Sequence, residues 1–347
     1  MNEEIDVLAL GMATPLGLSS RATLAALRAG FAAHEEIDEV EDLSGESVTA
    51  CRLEQPDPGS GRIERACFFA SHALTELLSW QPWTSPPAVF LATPEPTQAQ
   101  DFEAATLWTS LCRSFGHTSL ASTTTMLPFG RAGLFHALAQ ARAQLCAGTI
   151  DLALVGGADS LVTTEDVQRL ARANALLGKT NQDGLIPGEG AAFFLLARRG
   201  ARAAVAAIEA LALDREPEPR NTGAPPRAVG LTRAFAQVRV NQAARPDVVV
   251  TALPPQRWWG REFSHAYLRN AALMPEPLVT VAPSVALGDL GAAAGAVALG
   301  VGFWQLHPIV PRRGRTGLER ALVYGCADEG TIGVCLLRSP RTNSEVS

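Results

Sequence analysis

The sequence predicts an α/β protein in two halves. Three observations predict it. Short apolar segments of strand length alternate with segments of helical apolar spacing, in both halves of the chain. One strand segment, GAAFFLLARR, is apolar on both faces, as the middle of a sheet covered on both sides requires. A third segment, GAAAGAVALGVGFW, reads as a helix built on small residues. Each interior glycine costs a helix ~1 kcal/mol relative to alanine. Close packing must offset that cost, so this helix belongs in the middle of the molecule.

The elements follow in order. IDVLALGMA is a buried strand. TPLGL turns the chain, with Thr14 or Ser19 placed to cap the helix SSRATLAALRAG, which Gly30 closes. The acidic run HEEIDEVEDLSGES (residues 34–47) reads as a solvated loop. RIERACFFASHALTELLSW is a helix and PAVFLAT a strand. The Thr123 to Thr125 run reads as strand. GRAGLFHALAQARAQLCAG is a helix ended by Gly148, and DLALVGG is a strand with a glycine turn after it. AAVAAIEALALD opens the second half. DREPEPRNTGAPPRAVG, polar and rich in proline, reads as a loop between the halves. DVVVTAL, ALVYGC and GTIGVCLLR supply further strands. The expected division is residues 1–202 and 203–347.

Composition excludes several classes. The chain has 347 residues, 47% apolar and 18% charged, ample for a large core. A net charge of −6 gives no reason to expect nucleic acid or an anionic membrane as partner. The six cysteines form no CxxC and no metal spacing with histidine, so free core thiols and no metal or other cofactor are expected. The N-terminus MNEEID shows no secretion signal, and no apolar run is long enough for a lone bilayer span. The expected location is the cytoplasm.

Four stretches, in register over almost the whole chain, together resemble the β-ketoacyl synthases of the thiolase-fold superfamily. They are GMATPLGLSSRATLAALRAG, DLALVGGADSL, NQDGLIPGEGAAFFLLARR and GDLGAAAGAVALG. The third carries the family hallmark Asp-Gly-x-x-x-Gly-Glu-Gly as Asp183, Gly184, Gly188, Glu189 and Gly190. The resemblance implies two βαβαβαββ halves in an αβαβα layering, and a homo- or heterodimer joined through an edge strand near the nucleophile.

Such a synthase needs a cysteine at a strand-to-helix turn and two histidines that stabilise the enolate formed on decarboxylation. The cysteine position falls on Arg131, and residues 126–145 contain no Cys, Ser or Thr. The first histidine, in the family's Asn-Ala-His-Gly-Thr, falls on Leu253, followed by Pro254 and Pro255. The nearest histidine, His265, reads as a helix-face residue. The second falls on Asp289, whose charge would repel an enolate. Asp289 is placed to pair with Arg131, since both positions face one pocket in the family. The glycine gate near the C-terminus is replaced by a stretch holding Asp328 and Glu329. Scaffold positions are kept and reacting positions are not, and no GxSxG, Ser-His-Asp order or metal motif takes their place. The expectation is a protein without catalysis.

Within the family, the trimmed length, ARRGARA, RWWGREF and GDLGAAAG are most similar to thiolase-like accessory proteins encoded beside type VI secretion effectors. That resemblance implies a chaperone-like role in stabilising or loading a secretion effector, with an adaptor. The alternatives are a non-catalytic partner subunit of an active ketosynthase, and an acyltransferase or thioesterase with substituted residues. Trp258 and Trp259, and the acidic run from Glu35 to Glu46, are the possible partner contacts.

Overall fold

The computed structural model describes residues 4–57, 59–80, 86–99, 102–114, 124–200, 204–240, 244–307 and 318–340. The expected boundary at 202/203, and Thr123, lie outside them.

The first half contains β1 (Ile5–Ala13), α1 (Ser20–Arg28), β2 (His34–Glu41), β3 (Ser47–Cys51), α2 (Arg62–Trp80), β4 (Ala88–Ala92), α3 (Ala104–Ser114), β5 (Thr124–Leu127), α4 (Gly133–Ala147), β6 (Leu152–Ser160), α5 (Thr164–Arg172) and β7 (Glu189–Arg198). The second contains β8 (Ala206–Arg215), α6 (Val229–Val240), β9 (Val248–Thr251), α7 (Arg257–Arg269), β10 (Thr280–Val281), α8 (Ser284–Leu287), α9 (Ala294–Leu306), β11 (Arg320–Cys326) and β12 (Thr331–Arg338). Ser19 caps α1, its side chain accepting from the Ala22 N–H. Gly148 ends α4 in the left-handed conformation, φ 70°.

Among the described residues, ten strands form one sheet in the order β10-β9-β11-β12-β8-β1-β7-β6-β4-β5. The order is symmetric about the β1–β8 seam. Counting each half's strands within this sheet, and so leaving out the separate β2–β3 pair, the first lies innermost, then the last, the fourth, the second and the third. The seam itself is short, Ile5 to Val7 against Ala206 to Ile208. The two wings enclose α4 and α9, each of which touches strands of both. Helices α2 and α3 cover the outer face of the first wing, and α6 and α7 that of the second. Five layers result, α-β-α-β-α.

α9 is buried on nearly every side, as its composition demands. A Cβ on Gly295 would lie 2.8 Å from the Arg131 carbonyl oxygen, and one on Gly300 3.2 Å from Met12 Sδ. Small residues there let the two central helices approach each other and the strands of both wings.

Two sequence expectations need correction. Residues 34–47 are not a loop: most of them form the β2–β3 hairpin. Ile37, Val40, Val48 and Ala50 are buried beneath it against Val167 and Ala171 of α5. The many acids along the run hid this spacing. Several of them have internal partners: Glu35 and Glu39 face Arg52, and Glu46 pairs with Lys179. The proline-bearing stretch at residues 214–230 does not separate the halves. It follows β8, the first strand of the second wing, and leads into α6.

Candidate functional site

Arg131 sits in the single 3₁₀ turn Gly130–Ala132 that leads into α4. Gly130 has φ +49°, and a Cβ there would lie 2.9 Å from Glu95 Oε1, so the turn requires glycine. Arg131 is only 3% exposed, which is costly for a guanidinium at the positive end of a helix. Carboxylates offset that cost.

Asp289 is held in place by the Asp183–Gly190 stretch. Its N–H donates to the Ile186 carbonyl at 2.7 Å, and its carbonyl accepts from the Gly188 N–H at 2.9 Å. Gly288 beside it has φ +70°. A Cβ on Gly188 would lie 2.0 Å from the Leu287 carbonyl oxygen. This lock aims the carboxylate at Arg131. Arg131 Nε donates to Oδ1 at 3.1 Å and Nη2 to Oδ2 at 2.6 Å, a two-toothed ion pair. The Gly291 N–H donates to the same Oδ1 at 3.1 Å.

The third arginine nitrogen, Nη1, donates to Asp328 Oδ1 at 3.3 Å. Arg220 and Gln98 also donate to the Asp328 carboxylate, at 3.1 and 2.9 Å. Burial opposes ionisation of Asp328, but Arg131 and Arg220 hold its carboxyl below the usual value. Glu95 accepts from the Asp328 and Glu329 N–H groups at 2.9 and 2.8 Å. Its carboxyl is pushed up, first by burial and then by the charge of Asp328. Burial would lower the Arg131 pKa, but Asp289 and Asp328 raise it well above the ordinary value. The Trp259 ring lies 5.9 Å from the Arg131 guanidinium carbon and 5.7 Å from that of Arg220. The cluster borders a polar cavity of about 420 Å³.

The structure therefore brings Arg131 and Asp289 together, but not Leu253. Leu253 is 2% exposed and packs on the outer face of the second wing with Val249, Trp259 and Tyr324. His265 is exposed on α7. Trp259 is no surface contact, being 3% exposed beneath α7. Trp258 is half-buried, its indole N–H donating to the Ala224 carbonyl at 3.0 Å. The retained motif residues have packing roles. Asp183 Oδ1 accepts from the Arg257 N–H at the start of α7. A Cβ on Gly184 would lie 2.2 Å from the Leu176 backbone, and one on Gly190 3.1 Å from the Ala13 carbonyl oxygen. Glu189 forms a fully buried pair with Arg65, both bonds 2.7 Å, and accepts from Ser160.

Sequence reasoning missed Arg220, Gln98, Glu95, the pairing of Arg65 with Glu189 and a third buried pair, Arg62 with Asp159. Arg62 and Arg65 stand in the first turn of an otherwise apolar-faced α2. That is a visible anomaly, but their acids lie 97 and 124 residues away.

A guanidinium is neither nucleophile nor base. Asp289 and Asp328 are engaged by arginines and Glu95 by backbone N–H groups. Five of the six thiols are held protonated by burial, which pushes Cys51 up to about 12, Cys67 and Cys112 to about 11, and Cys326 and Cys335 up as well. Among the described residues, no group of three or more His, Cys, Asp or Glu is arranged to hold a metal ion. No helix among them is long and apolar enough to cross a membrane.

Residues 132–201, about a fifth of the chain, match the sequence profile of the β-ketoacyl synthase N-terminal domain. No curated protein matches the chain as a whole. Solved structures match it closely in shape. The ishigamide ketosynthase/chain length factor has a TM-score of 0.76 at 19% identity, over 98% of this chain and 100% of that one. A type II polyketide ketosynthase, solved in complex with its acyl-carrier protein, gives 0.77 at 12% identity, over 98% and 100%. The ketosynthase from module 6 of the Bacillus subtilis 168 bacillaene synthase gives 0.75 at 12% identity, over 98% and 72%. The five-layered architecture described above is thus the thiolase fold of the ketosynthases, with ketosynthase-type sequence over residues 132–201.

Proposed function

We propose that this chain is a non-catalytic ketosynthase-fold scaffold that works by binding other proteins. The observation that carries this reading is the Arg131–Asp289–Asp328–Arg220 network. It occupies the mouth of α4 with charges already paired to one another. A decarboxylating condensation needs a nucleophile there and neutral or cationic donors around the developing enolate. This network offers an arginine at the nucleophile position and an anion beside it.

On the softer sequence resemblance, the partner is a type VI secretion effector or its adaptor, which the chain would stabilise or help to load in the cytoplasm. A second reading is favoured by the fold match to a ketosynthase/chain length factor: a silent subunit beside an active synthase. The two halves, divided near residue 202, would act together in either case.

The test has two arms. The purified chain is incubated with acyl and malonyl thioesters and followed by intact mass and thiol release; the expected result is neither adduct nor turnover. Turnover that Asp289→Asn abolishes would overturn the proposal in favour of an enzyme with substituted residues. Affinity capture from the native cells separates the two partners. An effector or adaptor supports the first reading, and a cysteine-bearing synthase with carrier protein supports the second.

A further inference from the structure

The far edge of the second wing has three features that no role above uses. β10 is the outermost strand of the sheet. The Val249 N–H donates to the Val279 carbonyl, and Thr280 is registered with Val249. Backbone alternation then turns the N–H and C=O of Thr280 outward, where no strand among the described residues meets them. Leu278, Val279 and Val285 are 39, 45 and 55% exposed around this edge.

Behind the edge, on the outer face of the wing, lies a cavity of about 400 Å³ between β9 and the first turns of α7. Val249, Leu253, Trp259, Phe263 and Tyr324 make its lining almost wholly apolar. Its size and lining suit one or two large apolar side chains.

The third feature is charge. Arg257 stands at the rim of the cavity, and Arg261 follows it one turn later on the exposed face of α7. Neither enters an ion pair among the described residues. Asp183 accepts the backbone N–H of Arg257 and leaves its guanidinium to solvent. In a chain of net charge −6, Arg257 at the cavity and Arg261 one turn beyond it on the same exposed helix face form a local basic rim.

We infer that this edge docks an extended, acidic segment of a partner protein. The segment adds a strand to β10, inserts an apolar side chain into the cavity, and places Asp or Glu residues against Arg257 and Arg261. Backbone pairing supplies affinity, while the cavity and the arginines supply selectivity. The inference rests on the scaffold reading only in expecting a protein partner.

The experiment pans a phage-displayed random-peptide library on the full chain. Enriched peptides are then synthesised with a fluorescent label and titrated by anisotropy. The expected result is enrichment of alternating apolar residues flanked by Asp or Glu. Thr280→Pro removes the outward N–H at a position where an edge strand tolerates proline. It and Arg257→Glu are each expected to weaken binding by about tenfold or more. Arg257→Glu lies on the surface and keeps the test valid if Thr280→Pro perturbs folding. Leu268→Ala, exposed farther along α7, should leave binding unchanged. Failure of enrichment would overturn the inference. So would enriched peptides that bind both variants like the parent, or a cavity that takes only a hydrophobic dye. Thioester turnover would end the scaffold reading without touching this result. Loss of peptide binding would end this inference without creating turnover.

Discussion

Asp289→Asn is the most informative single change at the α4 mouth. It keeps the side-chain shape and an oxygen for the Gly291 N–H, but removes the charge that faces Arg131. Arg131 is buried and makes three charge-assisted bonds, two of them to Asp289. The remaining carboxylate, Asp328, is shared with Arg220. Removing one partner of a buried ion pair costs about 3–5 kcal/mol, because the other charge stays in place uncompensated. The retained Asp328 contact puts the expected loss at the lower end, about 3 kcal/mol. Replacing both charges, as Arg131→Met with Asp289→Leu, should cost less than the single change, since no charge is stranded. Its main penalty is the Gly291 N–H left without an acceptor, about 1–3 kcal/mol. Urea unfolding, followed by tryptophan fluorescence and circular dichroism, measures both variants and their coupling. An Asp289→Asn variant within about 0.5 kcal/mol of the parent would refute the reasoning, and so would a double variant no better than the single one.

Three further outcomes are expected. Glu262 is buried against Glu216, and together the two accept the N–H groups of Ala228, Val229 and Gly230. Burial, then the charge of Glu216, raises the Glu262 pKa to about 8, so the folded chain holds a proton that the unfolded chain releases above about 4.5. Stability should therefore fall as pH rises from about 5 to about 8 and then level off, and Glu262→Gln should remove that slope, read as urea midpoints across pH. Gly188→Ala pushes a methyl into the Leu287 carbonyl and unseats the Asp289 loop; the expected loss is about 2 kcal/mol or more, read as a lowered urea midpoint. Arg131→Cys places a thiol at a helix N-terminus but beside the Asp289 anion. Alkylation by iodoacetamide at neutral pH should be slow, and about tenfold faster when Asp289→Asn is added.

The apolar pattern made most of the sheet legible. β1, β6, β7, β8, β11 and β12 fall where mainly apolar runs stand, and α4 and α9 where helical runs lie between glycines, but the two residues of β10 carry no such run. The β2–β3 hairpin was not legible, because its buried residues are few and those of β2 are scattered among acids. At the site, a resemblance placed Arg131 and Asp289 together, Arg131 by its count back from Gly148 and Asp151 and Asp289 by the motif it stands in. It could not place Leu253, because the turn after β9 decides which side of the sheet that side chain takes. Nor could it find Arg220 or Glu95, whose partners lie 108 and more than 230 residues away.

α9 and its Gly-Ala pattern have a consequence for how kinship is inferred in this fold. The glycines of α9 answer to different neighbours, Gly300 to Met12 and Phe194 of the first wing, Gly302 to Val250, Ala321 and Val323 of the second and Gly295 to the start of α4, so enlarging the helix would need changes on both sheets and on its partner helix. The outer helices face solvent on one side and are free of that constraint. Sequence drift should therefore be slowest in the buried spindle and at the glycines that lock it, whatever the chain does for a living. A search that recognises those stretches is reading a steric requirement. It will report descent faithfully over long times, and it will report it equally for relatives that condense acyl groups and for relatives that only hold a shape.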